Sequence, residues 1–208
     1  MSKYKKQIAI VVLAAGKEDL KSVPKPLLPW GNSTLLGHTI KEMVKTQIND
    51  LYVVLGHEFD AVFERHKHFP VHFIKNPNYL DGEISGLTEC LKWISKTKVD
   101  GVLFLYGDQP HVDHLYLKEL IYTYNCGVKS IVATEINHKF GLPILFDKLY
   151  FEALQSANVN LNELNRLISQ QPKNVTALLP KTPLLQIEDE KDYNTLHNDW
   201  FGEVNPLD

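Results

Sequence analysis

The chain has 208 residues, 44% hydrophobic and 23% charged, with 22 Lys and Arg against 25 Asp and Glu. This balance belongs to a globular protein able to bury a full core, and a net charge of −3 argues against a protein that coats nucleic acid. Two cysteines, Cys90 and Cys126, are too few for a disulfide framework or a four-ligand zinc site, and they read as reduced, partly buried thiols of a cytoplasmic protein.

Lys3, Lys5 and Lys6 precede the apolar run Ile8 to Ala15, a superficial copy of a signal peptide. The run is at the short end for such a segment and begins with β-branched residues, so it is expected to be a buried strand. No stretch reaches the roughly 18 apolar residues that a membrane span needs. Further strand-length apolar runs follow at Leu51 to Leu55, Val71 to Ile74, Val102 to Tyr106 and Ser130 to Thr134. Between them lie amphipathic helical patterns at Thr34 to Thr46, Glu58 to His66, Glu83 to Ser95 and Asp113 to Tyr124, with Ser33 and Asp113 as N-caps. This alternation predicts a three-layer α/β/α domain, doubly wound on a mainly parallel sheet, with its functional loops at the carboxyl ends of the strands.

After Thr134 the rhythm changes. Residues 137 to 147 read as a loop entering another strand, Tyr150 to Gln170 as one or two helices, Leu184 to Ile187 as a short strand, and Glu188 to Asp192 as an acidic helix start. No composition shift marks a boundary, so residues 1–208 are expected to form one domain, with 199–208 a loosely docked tail. His57, His66, His68 and His72 lack metal-ligand spacing and read as solvated surface; Cys90, inside a helical pattern, reads as buried.

The loop after the first strand runs Leu13-Ala14-Ala15-Gly16-Lys17-Glu18-Asp19-Leu20-Lys21-Ser22-Val23-Pro24-Lys25-Pro26. Its small residues let backbone N–H groups approach a ligand, a nest suited to phosphate, although it is neither a Walker loop nor a GxGxxG fingerprint. The pattern resembles the signature L-A-A-G-x-S-x-R-x-G-x-x-K of nucleotidyltransferases of the nucleotide-diphospho-sugar transferase fold. It is most similar to that of the molybdenum-cofactor cytidylyltransferase and guanylyltransferase group.

The likeness continues in order at Asn76-Pro77 with Gly82-Glu83-Ile84-Ser85-Gly86-Leu87, at Gly107-Asp108-Gln109-Pro110, at Gly141-Leu142-Pro143 and at Gln186 to Tyr193. It implies magnesium-dependent transfer of a nucleotide from CTP or GTP to a phosphorylated acceptor, the molybdopterin cofactor among the choices, with release of pyrophosphate. By the same resemblance, Asp108 is the main magnesium carboxylate, Glu188 a second one, and Lys25 the cation at the transferring phosphate. Leu13, Ala14, Ala15 and Gly16 line the nucleotide, and Gly82 and Ser85 flank the base and ribose.

The chain departs from the pattern where Leu20 replaces the loop Arg, Ser22 the following Gly, Leu142 a His, and Glu18 a small hydroxyl residue. Asn158 to Asn162, the nearest counterpart of the family's G-D-x-G-A-R segment, lacks both its Asp and its Arg. Two alternatives therefore stand beside the leading one: a catalytically weakened homologue that binds a nucleotide or a partner, and transfer to a sugar phosphate or alcohol phosphate. On structural grounds alone Asp108 could cap a turn, Lys25 could be an exposed lysine, and Glu188 could be the first-turn acid of a helix. Residues 1–30 hold six lysines against two acids, a net of +4 around the loop that leaves −7 for the rest. The two arginines, Arg65 and Arg166, lie elsewhere in the chain.

Overall fold

The protein is described from a computed structural model over residues 6–16, 19–20, 23–82, 85–127, 129–156 and 161–202. Strand β1 (Ile8–Ala14) is followed by the two-residue strands β2 (Asp19–Leu20) and β3 (Val23–Pro24), a 3-10 turn at Lys25–Leu27, and the pair β4 (Pro29–Trp30) and β5 (Ser33–Thr34). Then come α1 (Leu35–Lys45), β6 (Asp50–Leu55), α2 (Phe59–His66), β7 (His72–Lys75), α3 (Ser85–Ile94), β8 (Gly101–Tyr106) and α4 (His114–Cys126). The last part holds β9 (Ile131–Ile136), β10 (Lys139–Asp147), α5 (Phe151–Ser156), α6 (Leu161–Ser169), β11 (Val175–Leu178) and α7 (Glu190–Phe201).

Seven strands form one sheet in the order β11-β9-β10-β8-β1-β6-β7. Strand β10 runs antiparallel to both neighbours, while the remaining pairs are parallel. Helices cover both faces, so the central strands lose polar alternation: Ala9, Val11 and Leu13 of β1 join the core under α3, α5 and α6, and Ile8, Ile10 and Val12 join the core under α1 and α4. This is the expected three-layer α/β/α arrangement, with β1 and β8 adjacent at its centre. Their carboxyl ends therefore open into the same crevice.

Several local expectations change. The cap of α1 is Thr34, not Ser33: its Oγ1 accepts the Gly37 N–H at 3.0 Å. Asp113 does cap α4, accepting the Tyr116 N–H at 2.8 Å. Residues 184–187 form no strand, and the last parallel strand is β11, an edge element that the sequence patterning does not reveal. His66 is 1% exposed rather than solvated, whereas His68 and His72 are exposed. The His66 Nδ1 lies 2.7 Å from the Val62 carbonyl oxygen, which can only accept. Its Nε2 therefore accepts the Thr34 hydroxyl at 2.6 Å, and burial lowers the imidazole's pKa so that it stays neutral. Cys90 is buried and Cys126 exposed. Trp200 and Phe201, assigned to a loose tail, end α7 and pack on Trp30.

Candidate functional site

A cleft of about 230 Å³ opens at the carboxyl ends of β1 and β8. Its lining includes Leu13, Ala14, Ala15 and Gly16, the last two residues of β1 and the first two of the loop after it. A Cβ placed on Gly16 would meet nothing within 4 Å, so the backbone there faces open space. One flank is the 3-10 turn, which carries Lys25 inward until it is 9% exposed. The other is the turn after β8, where Gly107 N–H bonds to the Leu13 carbonyl at 3.0 Å and presents Asp108.

These flanks meet across 83 residues of sequence: Lys25 Nζ donates to Asp108 Oδ2 at 3.2 Å, with both side chains largely buried. Among the described lining residues, this pair carries the charges. The walls around it are apolar, from Pro26, Leu35, Tyr79, Leu80 and Tyr106. Water is thus limited around the pair, and any anion placed there meets the ammonium in a medium that screens it weakly.

Gly82 lines the cleft at φ +110°, a conformation few side chains adopt, and a Cβ there would also point into open space. Ser85 does not line it. Its hydroxyl donates to the Gly82 carbonyl at 2.8 Å and accepts from Asn76 Nδ2 at 2.8 Å, so its observed contacts brace the 76–85 turn instead. Glu188 is exposed and lines no part of the cleft; its backbone N–H bonds to Asp192 at the start of α7. The segment before that helix does approach Asp108, through Ile187 N–H to the Asp108 carbonyl at 3.0 Å and Gln186 Nε2 to Asp108 Oδ2 at 3.4 Å. Glu188 thus lies next to the carboxylate in sequence register, while the side chain that reaches it is that of Gln186.

Leu20 is 9% exposed, lines no part of the cleft, and belongs to an apolar cluster with Leu28, Trp30, Ile187 and the cleft-wall residue Leu35. Leu142 is 1% exposed in the core under α3, α5 and α6. Lys17, Glu18, Lys21, Ser22, Glu83, Ile84 and residues 158–160 lie outside the described residues. Sequence reasoning assigned no site role to Tyr79, Leu80 or Tyr106, nor to Gln186, which entered only as the first residue of the closing motif. Tyr106 ends β8, and its place beside Asp108 could have been read from that run; Tyr79 and Leu80 carry no signal beyond following Asn76-Pro77.

The donor set suits a small hard cation. Among the described residues no group of three or more His, Cys, Asp or Glu side chains is placed to hold an ion. Asp108 offers the single anchoring carboxylate with which magnesium is commonly held beside substrate phosphates.

A family model for the MobA-like NTP transferase domain matches residues 10–175. The bifunctional protein GlmU of Pseudomonas fluorescens strain Pf-5 is 32% identical over 116 residues, 55% of this chain and 25% of that protein. The match thus spans about a quarter of that relative's length. Among solved structures, the Mycobacterium sp. strain JC1 homologue of Mycobacterium tuberculosis Rv0371c is similar at TM-score 0.77 and 25% identity, over 93% of this chain and 96% of that one. Rv0371c of Mycobacterium tuberculosis H37Rv, in complex with manganese, is similar at TM-score 0.73 and 22% identity, over 93% and 98% of the two chains.

Proposed function

This chain belongs to the MobA-like NTP transferase domain family, and from that premise we propose that its cleft transfers a nucleotide from CTP or GTP to a phosphorylated small-molecule acceptor, releasing pyrophosphate. The observation that carries the reading is the Lys25–Asp108 pair, held at 3.2 Å beside the small-residue loop 14–16. In the reaction a phosphate oxygen of the acceptor bonds to the α-phosphorus, and the bond from that phosphorus to the bridging oxygen breaks. Pyrophosphate leaves with the electron pair. Such chemistry asks a protein for geometry and charge neutralisation more than for covalent participation.

The residues divide that work. Ala14, Ala15 and Gly16 allow close approach of backbone donors to the triphosphate, Lys25 supplies a fixed positive charge, and the apolar walls limit screening by water. Asp108 would hold magnesium through its carboxylate, and a cation bound there would supply charge neutralisation at the phosphates and Lewis-acid polarisation. The manganese complex of Rv0371c supports divalent-metal use in this fold. Exposed Glu188 serves as a second metal carboxylate only by turning toward Asp108, and Gly82 and Ser85 shape the turn at the base and ribose.

The test is pyrophosphate release from CTP, GTP, ATP and UTP with magnesium and phosphorylated acceptors, a molybdopterin-type pterin phosphate first and sugar phosphates second. Turnover with CTP or GTP supports the proposal; none with any nucleotide rejects it. The placement of Leu20 in an apolar cluster, at the position where the resembled signature has its loop arginine, favours a second reading, a nucleotide binder with weakened catalysis. That reading expects a raised melting temperature with nucleotide but no pyrophosphate, since a ligand that binds the native state must stabilise it.

A further inference from the structure

Helix α7 lines no part of the cleft, yet it is bonded to both of the segments that build the Lys25–Asp108 pair. On the lysine side, the Tyr193 hydroxyl donates to the Pro29 carbonyl at 2.6 Å, two residues past the turn that carries Lys25. Tyr193 is fully buried, and burial pushes its pKa up to about 12, so the hydroxyl stays a donor at working pH. The next residue, Trp30, is 2% exposed and packs against Tyr193, His197, Trp200 and Phe201 with ring centroids 5.5 to 6.2 Å apart.

On the aspartate side, Trp200 Nε1 donates to His111 Nε2 at 3.1 Å, three residues past Asp108. His38 Nε2 bonds to the Pro110 carbonyl at 3.1 Å, so this stretch is held from two sides. The segment entering α7 returns to Asp108 itself through Ile187 N–H. A reciprocal capping box between Asp189 and Asp192 fixes where the helix begins relative to that segment. A single rigid helix is therefore tied near its start, middle and end to two loops that are far apart in sequence.

We propose that α7 is a strap that sets the spacing of Lys25 and Asp108, with Tyr193 and Trp200 as positioning residues, one for each loop. Its consequence for turnover rests on the nucleotidyl-transfer reading; its consequence for loop order does not. A displacement of about 1 Å at a reacting centre can cost on the order of 100-fold in rate, so loosening either loop should lower kcat more than it raises KM.

The experiment compares Tyr193→Phe, Trp200→Phe and the double variant, which remove the donors and leave an aromatic ring at each position, smaller at 200, with His111→Leu and with His111→Gln, which restores an acceptor. Steady-state kinetics with CTP or GTP, amide hydrogen exchange at 25–30 and 107–112, and melting temperature are read in parallel. The proposal expects kcat to fall about tenfold or more in the double variant with KM within about threefold. It also expects faster exchange confined to the two loops, and recovery in His111→Gln relative to His111→Leu. Unchanged exchange in both loops overturns it, as does a loss of rate that tracks melting temperature. If the wild-type chain turns over no nucleotide, the functional reading falls, and local exchange alone decides the strap: faster exchange upholds it and unchanged exchange rejects it.

Discussion

Leu20 shows how one residue can be misjudged from its place in a motif. The alignment of motifs puts it where the family carries an arginine, which suggests that restoring the arginine would strengthen triphosphate binding. The structure places Leu20 in the cluster of Trp30, Leu35 and Ile187, not on the cleft lining, so an arginine there must bury its charge or disrupt the packing. Leu20→Arg is therefore expected to lower unfolding free energy by on the order of 3 kcal/mol, measured by urea denaturation, without tighter nucleotide binding. Asp108, by contrast, lies where its place after β8 points, on the cleft lining beside Lys25. Asp108→Asn keeps the shape and removes the charge, and is expected to abolish pyrophosphate release while the circular dichroism spectrum is unchanged. Gly37 has a purely structural duty. A Cβ there would lie 2.5 Å from Ser33 Oγ and 3.0 Å from Thr34 Oγ1, the capping oxygen, so Gly37→Ala is expected to cost about 1 to 2 kcal/mol through loss of the cap.

Among elements, the central strands and helices were readable because each buries a long apolar pattern whose period identifies it. Strand β11 was not, because it is a four-residue edge strand that is only partly buried and lies between a 3-10 turn and a proline. Its identity comes from parallel pairing with β9, a partner more than 40 residues away. Residues 184–187 erred the other way: their apolar character is spent on packing Leu184 and Ile187 inward, while the Ile187 N–H serves the Asp108 turn rather than a ladder. At the opposite end of the sheet, α4, β8 and β10 are joined by Tyr124, whose hydroxyl lies 2.6 Å from Asp147 Oδ2 and 2.9 Å from the Asp100 carbonyl, with Lys6 3.8 Å above its ring. Tyr124→Phe is expected to cost about 1 to 3 kcal/mol in denaturant titration and to leave kcat unchanged, because this clasp is remote from the cleft.

For the whole molecule, buried titratable groups predict how stability responds to acid. Burial lowers the pKa values of His38, His66, His111 and His197 below the ordinary 6.5. As pH falls through 6.5 the unfolded chain takes up protons that the folded state resists, so this part of the stability is complete above that pH and declines below it. Glu42 acts lower: burial pushes its pKa up, but hydrogen bonds from Lys45 and from the His114 backbone and ring outweigh that and hold it at about 2, against an ordinary 4.5. Its contribution is present above 4.5 and is lost as pH falls toward 2. Denaturant titrations at stepped pH should therefore show two successive losses, and Glu42→Gln should remove the second.

What the sequence determined by itself is what local pattern can encode: the alternation of strands and helices, the three-layer class, and the order of motifs that made Lys25 and Asp108 candidates for one site. Tertiary structure alone decided which side chains reach that site. It brought Gln186 to the Asp108 carboxylate in place of Glu188, turned Leu20 into an apolar cluster, kept the Ser85 hydroxyl bonded within its own turn, and drew α7 against both loops. The reason is physical: burial periodicity depends on neighbours a few residues apart, whereas a contact between residues 25 and 108 or between 111 and 200 depends on how the whole chain packs.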